Sequence, residues 1–295
     1  MRELRIETAK PVFNPGEPVE GQVIVICDED FDCNRITIEL TGEEETRVVR
    51  GSGKHRRVYR EDLTHVAQGR ELMSGGHIPS GEHKYPFSIY LPEQVPGSYQ
   101  GFHGHIRYKL QAKAEVSWAF DPKWSVPLNV THRVPILRPE AKVAEILEDG
   151  QQVVRVEVPQ DLLRYDEPFS LRFRAKGDPD MRGIRVELLY IERVAPRGKK
   201  EKTERRILEH FIEREQLVGR LLHNLSFKFS RQWPAAFQSP LIHASYFLKV
   251  VADIPWRFDE EVMIPLRFSA KERFISSTQE SETFGMDYKI VFGDE

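Results

Sequence analysis

The chain has 295 residues, 30% of them charged and 40% apolar, proportions of an ordinary globular protein with room for two domains. Its net charge of −3 supplies no global attraction to nucleic acid or to an anionic membrane. Two cysteines exclude a disulfide framework, no apolar run reaches bilayer-spanning length, and the opening MRELRIET is charged and alternating rather than signal-like, so a cytoplasmic protein is expected.

In chain order, Leu4 and Ile6 alternate with polar residues and predict a first strand over residues 1–8. Pro15–Gly16 marks a turn that leads through Glu17–Pro18–Val19 into the strand GQVIVIC. CDEDFDCN reads as a connection, and RITIELTG places Ile36, Ile38 and Leu40 on one face of the next strand. The charged stretch from Glu43 to Arg60 centres on Arg50–Gly51–Ser52–Gly53–Lys54, a hairpin tip. Residues 61–84 are polar and carry no pattern that assigns them. From Ile106 to Val116 apolar and polar residues alternate strictly, the signature of a long strand with one face on a core. After Asp121–Pro122–Lys123–Trp124, VPLNV returns as a strand whose proline suits an edge or a bulge, and HRVPILRPE is an extended linker.

The stretch Tyr85–Leu128 recurs without a gap 138 residues later, as His223–Leu266. Ser88, Gln94, Pro96, Gln100, His105, Tyr108, Leu110, Ala114, Trp118, Phe120 and Asp121 all meet identical residues in the second copy. Upstream, Val154, Val156 and Val158 alternate, Tyr165–Asp166–Glu167–Pro168 takes the place of the first turn, and Ile36 and Leu40 meet Ile184 and Leu188. The register there is 148 against 138 later, so the second copy is ten residues shorter in its hairpin region. Residues 203–218 are read as strand, with an amphipathic helix as the other reading. MDYKIVF at 286–292 reads as one more strand, able to lie on a sheet edge. The chain is therefore expected to be a tandem of two related β domains.

The segment GEHKYPFSIYLPEQVPGSYQGFHGHIRYKLQAKAE resembles the signature of the arrestin N-terminal domain, above all the α-arrestin type. Gly81, Tyr85–Ser88, Leu91–Pro92, Pro96–Tyr99, Gly101, His103, Gly104, Ile106 and Tyr108 carry the likeness, with Pro15, Gly16, Glu17, Val19 and Gly21 matching an earlier strand entry. The second half is similar to the family's C-terminal domain through the internal repeat. The resemblance implies an all-β fold of two tandem arrestin-like, immunoglobulin-like β-sandwich domains, 1–136 and 137–270, followed by a tail at 271–295. It also implies a non-enzymatic adaptor or scaffold for protein partners, while the chain's two basic hairpins raise the expectation of phosphoprotein or membrane-protein-tail partners, weak contact to anionic lipid and peripheral placement at a membrane. Other readings are a regulatory protein similar to bacterial sporulation-control proteins and a small-molecule-binding β-sandwich. The chain departs from the α-arrestin pattern in having no Pro-Pro-x-Tyr motif, so recruitment of a ubiquitin ligase is not implied.

Two basic clusters are the candidate anion- and partner-binding sites: Lys54, His55, Arg56, Arg57 and Arg60 in the first copy, and Lys199, Lys200, Lys202, Arg205 and Arg206 in the second. Clustered Arg and Lys bind phosphate through charge-assisted, bidentate hydrogen bonds, whereas a solvated hairpin tip needs no ligand at all. In the acidic run Asp28, Glu29, Asp30 and Asp32, Cys33 stands where a calcium loop requires glycine, which favours a plain loop. A Cys27–Cys33 disulfide suits the spacing but not a reducing compartment. His103 and His105 lack a third ligand at a metal-binding spacing, and Trp118, Phe120, Trp256 and Phe258 read as packing residues. No nucleophile elbow, phosphate-binding loop or zinc-protease motif occurs, so neither catalytic residues nor a cofactor or metal is expected.

Overall fold

The structure of the chain, a computed structural model, describes residues 2–116, 121–148, 150–175, 181–217, 222–255, 260–270 and 274–275. Its long strands are β1 (Arg2–Thr8), β2 (Pro18–Cys27), β3 (Phe31–Arg50), β4 (Arg57–Met73), β5 (Gly81–Tyr90), β6 (Gly104–Val116) and β7 (Lys123–Val130) in the first half. The second half supplies β8 (Lys142–Glu148), β9 (Gln151–Val158), β10 (Pro168–Ala175), β11 (Gly183–Val194), β12 (Glu201–Glu213), β13 (His223–Lys228), β14 (Ile242–Asp253) and β15 (Glu260–Phe268). The chain divides into two compact units, one built on Met1–Arg133 and one on Val134–Arg193 with Lys200–Arg273; Val194–Lys199 groups with the first.

In the first unit β1–β2–β5 form one sheet of a sandwich. The other runs, in spatial order, Val12–Phe13, β7, β6, β3, β4, with Gly76–Ile78 added to β3 and Tyr99–Gln100 added to β6. Alternation explains the pairing of faces. Val19, Val23 and Val25 of β2 are buried, as are Ile36, Ile38 and Leu40 of β3 and Tyr108, Leu110, Ala112 and Ala114 of β6. Each buried valine, isoleucine or leucine is worth about 1.5–3 kcal/mol once removed from water, and covering both inner faces is what holds two sheets together.

The second unit repeats this with β9–β10–β13 preceded by β8 in one sheet and Leu162–Leu163, β15, β14, β11, β12 in the other, where Phe237–Gln238 joins β14. The repeat extends to single hydrogen bonds. Tyr108 Oη donates to the carbonyl of Pro96 at 2.5 Å, and Tyr246 Oη donates to that of Pro234 at 2.6 Å. The first turn is left-handed in both, with φ of 92° at Gly16 and 62° at Asp166. Each turn is tied to the chain behind it by the same two bonds, Gly16–Leu91 and Leu91–Glu17 in one copy, Asp166–Phe229 and Phe229–Glu167 in the other. A parallel bridge closes both sandwiches, Val12–Phe13 beside Asn129–Val130 and Leu162–Leu163 beside Arg267–Phe268.

The expectations meet the structure unevenly. The acidic run is only partly a connection, because β3 begins at Phe31 and buries Phe31 and Cys33 on its inner face. Cys27 and Cys33 are free, buried thiols, each close to backbone carbonyls. Residues 203–213 are strand, and Arg214–Leu217 add one helical turn. Trp118, Phe120, Trp256, Phe258 and the segment 286–292 lie outside the described residues. Among the described residues no helix is long and apolar enough to cross a membrane.

Candidate functional site

The first basic cluster sits where the two longest of the described strands turn into each other. β3 has 20 residues and β4 has 17, and they pair from Ile36↔Met73 out to Arg50↔Arg57. Gly51 turns the backbone at φ 75°, and a Cβ there would fall 2.6 Å from the carbonyl oxygen of His55, so only glycine fits. A short 3₁₀ turn, Gly53–His55, follows, with the Arg56 N–H donating to the carbonyl of Gly53 at 3.2 Å. Lys54, His55, Arg56 and Arg57 are all exposed at this tip. None of the four side chains has an ion-pair or hydrogen-bond partner among the described residues. Arg60 is different, since its guanidinium meets Glu45 at 2.7 Å.

The second cluster is engaged. Lys202 pairs with Glu204, while Arg206 pairs with Glu209 and, at 3.1 Å, with Glu187. Lys199 stands 5.5 Å from the centre of the Tyr59 ring, and the Arg197 N–H donates to Glu61 at 2.7 Å, contacts internal to the first unit as its residues group. Lys200 and Arg205 also have partners. The equivalence of the two clusters in the repeat therefore does not carry over to their availability.

The outer face of the sheet behind the first tip forms a shallow trough. Glu43 and Glu45 of β3 lie opposite Arg107 and His105 of β6, with Asp62 and Thr64 of β4 on one bank and Lys109 and Asn129 on the other. Burial lowers the pKa of His105 below its usual value. Beneath the same strands, Glu44 is fully buried and meets His65 Nε2 at 2.8 Å. Sequence reasoning passed over these positions, although the parity that made β3 legible already set Glu43 and Glu45 on one face and Glu44 on the other.

The remaining polar groups have structural explanations. His77 bridges Asp32 at 3.0 Å and Asp30 at 3.4 Å, and both hydrogen bonds raise its pKa. Glu115 is held down to about 2 by Arg35 and Lys113 on the sheet surface. His132 is buried against Gly97, where a Cβ would lie 2.6 Å from its Nδ1, and burial pulls its pKa down to about 4. His103 contributes its carbonyl to the Arg47 N–H. Among the described residues no group of three His, Cys, Asp or Glu side chains could hold a metal ion.

Residues 3–136 match the family model described as the arrestin (or S-antigen) N-terminal domain. Arrestin domain-containing protein 17 of Caenorhabditis elegans is 31% identical over 134 residues, covering 40% of this chain and 31% of that protein. Mouse arrestin domain-containing protein 1 is 25% identical over 144 residues, covering 46% and 32%. Arrestin domain-containing protein A of Dictyostelium discoideum is 21% identical over 304 residues, covering 92% of this chain and 51% of that protein. The match spans about a third to a half of the length of these relatives. Residues 3–136 are thus similar to an arrestin N-terminal domain, and the chain has an all-β architecture of two sandwich-like halves.

Proposed function

We propose that the chain is a non-enzymatic adaptor that binds protein partners, and that the β3–β4 tip contacts an anionic one, a phosphorylated protein segment. The observation that carries this reading is the exposed set Lys54, His55, Arg56 and Arg57, without a partner among the described residues, at the tip of the β3–β4 hairpin. An unpaired guanidinium offers a planar fork that matches a phosphate, and no existing ion pair has to be broken first. The engaged cationic residues of the second cluster, Lys199, Lys200, Lys202, Arg205 and Arg206, would contribute only secondarily. The same reading keeps the domain division at 1–136 and 137–270 and a cytoplasmic location with peripheral contact at membranes. A phosphorylated peptide in fluorescence anisotropy, with the unphosphorylated peptide and anionic vesicles as separate arms, tests it. Tighter binding of the phosphopeptide, weakened by K54E/R56E/R57E, is expected. Equal binding of both peptides, an unchanged triple variant, or response to vesicles alone would overturn it.

A further inference from the structure

β4 is the terminal strand of its sheet, paired on one side with β3 and on the other with no backbone among the described residues. Edges of this length are usually blunted, by lysine or proline among other means. The sequence RVYREDLTHVAQGRELM contains neither; it carries bulges at His65 and Leu72 and several charges instead, and it exposes Val58 and Leu63. What an open edge accepts is set by which charges face it and in which register.

The register of β4 on β3 contains the decisive detail. Glu43 faces Thr64 and Gly42 faces Val66, so His65 is an extra residue and the alternation changes phase there. Arg60, Asp62 and Thr64 before the bulge therefore belong to the same set as Ala67, Gly69 and Glu71 after it, all opposite odd-numbered residues of β3. Glu61 and Leu63 likewise join Val66, Gln68 and Arg70. Two residues can oppose each other in an antiparallel ladder only if both present their backbone groups in the same sense. Because of the bulge, a second copy of β4 can pair antiparallel with the first so that Thr64 faces Ala67 of the partner subunit. Arg60 then faces Glu71 of the partner subunit, and Glu61 faces Arg70 of the partner subunit. The two-fold axis doubles both pairs. Leu72 is a second extra residue, so the regular ladder runs from Arg60 to Glu71 and stops there. A slip of the register one way sets Asp62 against Glu71 of the partner subunit, and a slip the other way removes both charge pairs.

We propose that β4 is a self-association edge, through which two copies of the chain join their sheets across a two-fold axis in the register that sets Arg60 against Glu71 and Glu61 against Arg70. Complementary charges directly opposite stabilise a strand pair and like charges destabilise it, so the sequence selects its own copy in one register. Existing contacts leave Arg60 and Glu61 with hydrogen-bonding capacity to spare. Arg60 holds Glu45 at 2.7 Å yet has five N–H donors to share, and Glu61 receives the Arg197 N–H on one of its two oxygens.

Sedimentation equilibrium of the full chain over a concentration series, with two charge-swapped variants, tests the proposal. E61R/E71R makes the four paired positions 60, 61, 70 and 71 all basic, and R60E/R70E makes them all acidic. The unaltered chain is expected to form dimers. Each variant alone should lose more than about tenfold in dimer affinity through repulsion between like charges. An equimolar mixture of the two should regain a dimer containing one of each, since all four oppositions become complementary. Circular dichroism of each variant checks that it is folded, and recovery in the mixture shows the same independently. An unaltered chain that stays monomeric at its highest soluble concentration overturns the proposal. So does a dimer that survives in both variants, or a mixture that fails to pair.

Discussion

The central strands of the two units, β3 and β11, descend from one pattern and have been put to different uses. On β3 the outward positions Thr37, Glu39, Thr41, Glu43 and Glu45 are polar and none is buried. Their counterparts 148 residues on are Arg185, Glu187, Leu189, Ile191 and Arg193, of which Glu187, Leu189 and Ile191 are buried. One copy keeps the amphipathic alternation of a sheet that faces water, and the other is largely buried across both faces while keeping charges at Arg185, Glu187 and Arg193. The inner face diverges too. Gly42 lets the Tyr108 ring lie directly over the backbone, where a Cβ would come within 2.2 Å of it. At the matching place the second unit has Tyr190, packed on Tyr246 with ring centroids 5.1 Å apart. Yet both strands retain a fully buried glutamate at the next position, Glu44 and Glu192. Duplication fixed the inner register; the outer faces were free to specialise.

Exchanging residues between the copies tests how far this specialisation has gone. The largest effect is expected from Ile191→Glu, which imposes the Glu43 identity on a fully buried position. It should cost more than about 4 kcal/mol, while the reverse change Glu43→Ile stays within about 0.5 kcal/mol. Urea unfolding of the two variants reads the difference, and equal costs would show that the outer faces are not distinct.

Gly42→Ala follows, because the added methyl must displace the Tyr108 ring. A loss of about 1–3 kcal/mol in the same assay is expected, whereas G53A at the open tip position costs about 1 kcal/mol, from its positive φ alone.

His132 gives the third, a pH effect confined to one copy, since Ala270 stands at its counterpart. The folded imidazole titrates at about 4 and the unfolded one near 6.5, so between those values the unfolded chain binds more protons. Stability is therefore complete above the upper value, falls as pH drops through the window, and levels off below the lower one. The total is roughly 3 kcal/mol. H132A should flatten this part of a pH series of urea midpoints, and an unchanged slope would assign it to another group. Smallest are Tyr108→Phe and Tyr246→Phe, each removing one hydrogen bond to a proline carbonyl for about 1 kcal/mol. Similar losses in the two would confirm that this bond is a shared inheritance.

What the sequence made legible follows the same division. β6 and β14 were readable because each has one dry face and one wet face, and the identical 138-residue spacing of Tyr108 and Tyr246 then exposed the repeat. β4 was not readable. An edge strand that is largely solvated on both faces has no hydrophobic period to detect, and the extra residues at the bulges shift what alternation remains. The start of β3 was hidden for a related reason, because Asp28, Glu29, Asp30 and Asp32 surround Phe31 with loop-like composition. The basic clusters were visible as composition, but which cationic residues are already paired depends on Glu187, Glu204 and Glu209 and could only be read in three dimensions.

The parallel bridge that closes each sandwich bears on how the chain reaches its native state. Thr131 donates its N–H to Phe13, and Ser269 donates its N–H to Leu163, so the two closures are interchangeable in form and each spans more than a hundred residues. A chain refolding from denaturant has both closing strands available at once, and either could dock on the wrong copy's partner. During synthesis β7 emerges long before β15, and the first sandwich can close while its competitor is still unmade. Refolding from urea should therefore yield a slow, misassembled fraction that is independent of protein concentration, and vectorial synthesis should largely avoid it.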